Sequence, residues 1–62
     1  MNAQNSNHQI AMDLISQYGD DAESIAVLRA AEYAANLNTE EWFIWEGVIK
    51  EIQSINDNPN LQ

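Results

Sequence analysis

Residues 39–55 read TEEWFIWEGVIKEIQSI, and their apolar side chains recur every three or four positions. This spacing is typical of one side of an α-helix. Thr39 can cap the start of the helix, and Pro59 disfavours helical conformation just before itself. We therefore predict a helix over residues 40–55, with an apolar stripe formed by Trp42, Ile44, Trp45, Val48, Ile49, Ile52 and Ile55.

Two further helices are predicted before this one, over residues 7–18 and 22–36. Ser6 has the form of an N-terminal cap for the first, and Gly19 can take the left-handed conformation that ends a helix. Asp20 then has the form of a cap for the second helix. Because the second helix is apolar over more than half of its circumference, we predict that it is central and packs on two sides.

The expected fold is all-α, with three short helices in a small bundle that forms a single domain over residues 7–55. Residues 1–6 and 56–62 are Asn-rich and are expected to be disordered tails. A chain of 62 residues is small, and three helices of about 18–24 Å cannot cover all of its apolar side chains. We therefore predict that a twofold homodimer completes the bundle. A compact monomer with both tryptophans half exposed is the alternative.

Four residues of the third helix are candidates for an interaction surface: Trp42, Phe43, Trp45 and Gly47. Phe43 falls on the polar side of the helix, and Gly47 lies one turn further along that side. A glycine inside a helix costs about 1 kcal/mol relative to alanine, so the pair suggests a second contact surface. The alternative is an exposed aromatic residue beside an incidental glycine. Trp42 and Trp45 are candidate anchors for a partner, although their spacing also suits a core.

The charge restricts the kind of partner. The net charge is −8, and Arg29 and Lys50 are the only Arg and Lys residues. Binding to nucleic acid or to an anionic membrane requires many more cations, so we expect neither, whereas a basic protein remains compatible. The N-terminal residues lack the pattern of a signal peptide and no apolar run is long enough to span a bilayer, which predicts a cytoplasmic protein. The chain has no cysteine and therefore no disulfide.

Residues Tyr18-Gly19-Asp20-Asp21 match the signature with which RNA-dependent RNA polymerases hold Mg²⁺. Here the four residues lie between two helical patterns, which favours a helix-ending turn. A Mg²⁺ site at Asp20 and Asp21 would require oligomerisation. His8 has no second His or Cys with which to share a metal ion, and the carboxylates show no calcium-loop spacing. We therefore predict no catalytic residue, no metal site and no cofactor, and expect that the protein is not an enzyme.

A longer pattern of helix-ending and small residues covers about residues 11–55. It reads Ala11-x-x-Leu14-Ile15-x-x-Tyr18-Gly19-Asp20-Asp21-Ala22, then Ala26, Arg29-Ala30 and Trp45-x-x-Val48. This pattern resembles that of a group of small uncharacterised proteobacterial proteins with an all-helical fold. The resemblance implies a bacterial or phage origin and a soluble helical fold, and it carries over no functional residue. The chain departs from that group in its Asn and Gln content and in its aromatic cluster at residues 42–45.

These observations predict a small acidic, non-enzymatic interaction or regulatory module that acts through the apolar and aromatic face of the third helix. The alternative is a nucleic-acid mimic that inhibits a basic nucleic-acid-binding protein, for example a phage anti-defence protein. Mimicry requires carboxylates on one surface, whereas Asp13, Glu32 and Glu46 belong to three different helices.

Overall fold

The computed structural model of the protein describes residues 3–57 and is all-helical over them. The helices are α1 (Ala3–Tyr18), α2 (Ala22–Ala35) and α3 (Thr39–Asp57). The predicted all-α class is confirmed, but the prediction of three separate helices is corrected. A 3₁₀ turn, Gly19–Asp21, joins α1 directly to α2, with no loop between the two helices. The described chain therefore consists of two helical runs, residues 3–35, which bend at Gly19, and residues 39–57.

The bend between α1 and α2 depends on Gly19. Its φ angle is +57°, in the left-handed region that glycine enters without steric cost, and α1 ends at the residue before it as predicted. The predicted cap at Asp20 is wrong, because Asp20 lies inside the 3₁₀ turn. Asp21 occupies the N-cap position of α2 and its side chain makes no capping hydrogen bond. Instead, the backbone N–H of Ala22 donates to the Gly19 carbonyl.

The other helix ends also differ from the predicted ones. Since α1 begins at Ala3, Ser6 lies within the helix and does not cap it. At the start of α3, the cap is Asn38 and not Thr39: the Glu41 N–H donates to Asn38 Oδ1 over 3.4 Å. Residues 56 and 57, expected in the C-terminal tail, continue α3. The remainder of the predicted tails, residues 1–2 and 58–62 including Pro59, lies outside the described residues.

The core lies where α3 packs against α2 on one side and α1 on the other. Its buried side chains are Ala11, Leu14, Ala22, Ala26, Ala30, Trp45, Val48 and Ile52. The α1–α2 contact is the smallest of the three, so α3 is the central helix and the prediction for α2 is corrected. The reason is that α2 buries one narrow row of alanines, while its opposite side stays exposed.

Two side-chain hydrogen bonds between helices fix the relative directions. Gln53 Nε2 donates to Glu23 Oε2 over 3.0 Å, which places the start of α2 beside the last turns of α3. His8 Nδ1 lies 3.0 Å from Glu51 Oε1 and links the first half of α1 to the C-terminal half of α3. The helix α2 therefore runs antiparallel to α3. Within residues 3–57, none of the helices combines the length and apolarity that crossing a bilayer requires.

The small size of the buried alanines yields the first prediction. Ala26 is fully buried between α2 and α3, so Ala26→Leu should overpack the interface and lower the free energy of unfolding by about 1–3 kcal/mol. The matched control is Ala31→Leu on the exposed side of the same helix, which should change it by less than about 0.5 kcal/mol. Urea unfolding followed by circular dichroism measures both. Equal losses in the two variants would contradict this packing.

Candidate interaction surface

Of the predicted interaction residues, Trp45 lies in the core. Its indole is buried and stacks on Tyr33, with 6.5 Å between the ring centroids and 24° between the planes. The Arg29 guanidinium carbon lies 5.6 Å from the Trp45 ring centroid, within the range of a cation–π interaction. Trp45 therefore holds α2 to α3, which is the structural role that its spacing also suited.

Gly47 faces α1 and packs against it. A Cβ atom at this position would overlap the side-chain amide of Asn7. The missing side chain thus lets α1 approach α3, and this approach is a structural reason for a glycine inside a helix. Gly47 and Phe43 share a side of α3, but the Gly47 part of that side is occupied by Asn7.

Trp42 and Phe43 form the accessible part of the predicted surface. Their ring centroids are 5.1 Å apart with an edge-on angle of 60°. Phe43 is 65% exposed, and Trp42 is partly buried against the core. An edge-on aromatic pair of this kind is stabilised beyond its buried area. The pair therefore presents a preformed aromatic edge to solvent at the start of α3.

A larger apolar surface lies on α2. We call it the α2 outer face: Val27, Leu28, Ala31, Ala34 and Ala35, all exposed. At about 100° per residue, these side chains lie opposite the buried row of alanines. The side chain of Leu28 is 62% exposed. None of the five residues of the face is charged. The sequence signal for this face is the wide apolar circumference of α2, from which the sequence predicts packing on two sides.

The connection between α2 and α3 extends this surface. Leu37 has a φ angle of +59° and is 87% exposed. The Leu37 N–H donates to the Ala34 carbonyl and the Asn38 N–H to the Tyr33 carbonyl. These two bonds form a Schellman motif, in which the Leu37 position usually holds glycine. A hollow of about 230 Å³ follows, lined by Ala34, Leu37, Asn38, Thr39 and Trp42, so Ala34 joins the α2 outer face to Trp42.

Carboxylates flank the α2 outer face. Helical spacing places Glu23 along one edge and Glu32 along the other. An open groove of about 500 Å³ at the N-terminal end of the face is lined by Asp20, Glu23, Ser24, Val27 and Leu28. The lining of this groove thus combines two apolar side chains with two carboxylates. The nearest cation on α2, Arg29, lies over Trp45 on the core side of the helix.

The remaining polar residues do not gather into a recognisable centre. Over residues 3–57, no group of three or more His, Asp or Glu side chains is arranged to hold a metal ion. Asp20 and Asp21 lie in the 3₁₀ turn, and His8 pairs with Glu51 across α1 and α3. Neither a protein-family model, nor a curated protein, nor a solved structure matches the chain. The resemblance noted from the sequence therefore stays a prediction.

The contact between Gly47 and Asn7 generates a double-mutant test. Gly47→Ala alone should change the free energy of unfolding little, because about 1 kcal/mol of helix propensity is offset by displacement of the Asn7 side chain. With Asn7→Ala already present, Gly47→Ala should stabilise the protein by about 1 kcal/mol. Urea unfolding of the four proteins measures this coupling. The same effect in both backgrounds would show that α1 does not press on Gly47.

Proposed function

We propose that this chain is a small acidic, non-enzymatic interaction module that binds another polypeptide through the α2 outer face and the adjoining Leu37 and Trp42. This proposal moves the contact from the face of α3 to that of α2. Trp45 and Gly47 have structural partners, whereas the α2 outer face has none among the described residues. Contiguous exposed apolar surface on a soluble domain commonly marks a binding site.

The observation that carries the proposal is the conformation of Leu37. A residue other than glycine in the left-handed region costs about 1–2 kcal/mol. An 87% exposed leucine recovers little of this cost by packing within its own chain. Strained positions of this kind cluster at functional sites, where the surroundings hold them in place. A leucine kept exposed where glycine fits better is therefore best explained by contact with a partner.

Self-association is one way to cover this surface. The twofold dimer predicted from the sequence, through the third helix, stays a prediction; a dimer that covers the α2 outer face would pair through α2 instead. The nucleic-acid mimic would instead use carboxylates, which here are spread over all three helices. The two ideas differ in salt dependence, because apolar contacts persist at ionic strengths that screen exposed charges.

Site-specific photocrosslinking tests the proposal. Ala31, at the centre of the α2 outer face, is replaced by p-benzoyl-phenylalanine, with Met12 on α1 as a matched exposed control. We expect a discrete adduct from position 31 and none from position 12, in lysate of the source cell at both 50 and 500 mM salt. An adduct of about twice the chain's 7.0 kDa would identify a second copy. No adduct from position 31, or the same adducts from both positions, would contradict the proposal.

Leu37 offers a test that separates stability from binding. Leu37→Gly relieves the left-handed strain and should raise the free energy of unfolding by about 1 kcal/mol. It should also weaken the adduct formed from position 31. The control is Leu37→Ala, which removes the side chain but keeps the strained backbone, so that it weakens the adduct without increasing stability. An unchanged adduct in both variants would exclude Leu37 from the contact.

A further inference from the structure

We infer that the partner of the α2 outer face is an amphipathic helix of another protein, apolar along one side and flanked by Lys and Arg. This inference rests on the proposed function and names the class of its partner. It follows from the length and relief of the face, the charges along its edges, and the absence of a cation on it.

The face has the dimensions of a helix-binding surface. The α2 outer face covers residues 27–35 of this helix, so it extends about 13 Å along the helix axis, or two and a half turns. The larger side chains of Val27 and Leu28 protrude at the N-terminal end of the face. The alanines at 31, 34 and 35 form a shallower surface towards its C-terminal end. Side chains at such spacings form the ridges and grooves into which a second helix packs. Leu37 and the adjoining hollow lie at the C-terminal end of the α2 outer face.

The carboxylates around the α2 outer face favour a partner with positively charged side chains. Glu23 and Glu32 flank the α2 outer face, and Asp20 lines the open groove at its N-terminal end. A docked helix is about 10 Å wide, so its flanks come within about one Debye length of these carboxylates at physiological salt. Lys or Arg on those flanks is attracted, and the net charge of −8 adds a long-range attraction.

A second copy of the chain fits these charges poorly. A twofold contact through the α2 outer face would bring Glu23 and Glu32 close to the carboxylates of the other copy. No Lys or Arg lies on the face to compensate, since Arg29 packs over Trp45 and Lys50 is on α3. Like charges placed together across an interface oppose association. The chemistry of the surface therefore favours a basic partner.

The experiment uses the full chain and a synthetic 14-residue amphipathic helix of Leu, Ala and Lys, with binding followed by isothermal titration calorimetry. One control peptide has the same composition in an order that gives no apolar side. A second has Glu in place of every Lys. We expect the basic amphipathic peptide to bind at least tenfold more tightly than either control. The Leu28→Ser variant should weaken binding about tenfold, as removal of a buried leucine side chain does.

Matched variants separate the contribution of the apolar side chains from that of the flanking carboxylates. Met12→Ser, at an exposed apolar position on α1, should leave binding unchanged. Glu32→Gln should weaken binding about threefold and reduce its dependence on salt, whereas Glu40→Gln, outside the α2 outer face, should do neither. Circular dichroism of each variant confirms that it is folded before binding is compared.

The outcomes that overturn the inference are distinct. Equal binding of both basic peptides would mean attraction by charge alone, as a nucleic-acid mimic predicts. A dimer in sedimentation at tens of micromolar that Leu28→Ser dissociates, together with no peptide binding, would assign the face to a second copy. In that case the proposed interaction function stands and only the partner class fails. Absence of peptide binding, of a dimer and of any adduct from position 31 would reject both.

Discussion

The close approach of α3 to α2 across Ala22, Ala26 and Ala30 is the contact on which the rest of the structure depends. Three alanines at four-residue spacing leave a shallow channel, and Trp45 lies against the helix that carries them. The fully buried side chains are small, with Ile52 and Val48 the largest. A core of this size has room for only one side of α2. The other side of α2 is then left to solvent, with its apolar residues in place.

The periodicity of the sequence was sufficient to predict an all-helical chain, but it predicted neither the direct connection of α1 to α2 nor the way the helices pack. The α3 stripe and the end of α1 before Gly19 followed from local spacing and glycine geometry. The caps did not, because Asn38 competes with Thr39 and the backbone of the 3₁₀ turn replaces the side chain of Asp20. Such choices depend on the backbone geometry of the turn, and residue type alone does not determine them.

An exposed apolar face was predictable from the sequence, but the helix that carries it was not. The excess of apolar side chains indicated an unburied face, and the pattern assigned it to α3 because the aromatic residues are there. Two tertiary facts changed that assignment: Trp45 turns inward to Tyr33, and Asn7 lies on Gly47. Neither is visible in a helical wheel, which shows how residues divide around one helix but not which side a neighbour occupies. The turn at Leu37 and Asn38 was predictable from the gap between the two helical patterns, but the left-handed conformation of Leu37 was not, since leucine disfavours that conformation.

The contribution of α1 to the core has a consequence for how the chain moves. Among the described side chains, α1 supplies only Ala11 and Leu14 to the buried core, whereas α2 and α3 supply three each. The contact between α2 and α3 is also the larger one and is closed by a three-residue connection. Fewer buried apolar contacts lower the free energy of local opening, so we expect α1 to open about Gly19 more readily than the α2–α3 hairpin comes apart. In hydrogen exchange, the amides of α1 would then exchange faster than those of α2 and α3, and a partner bound to the α2 outer face would protect the slower group.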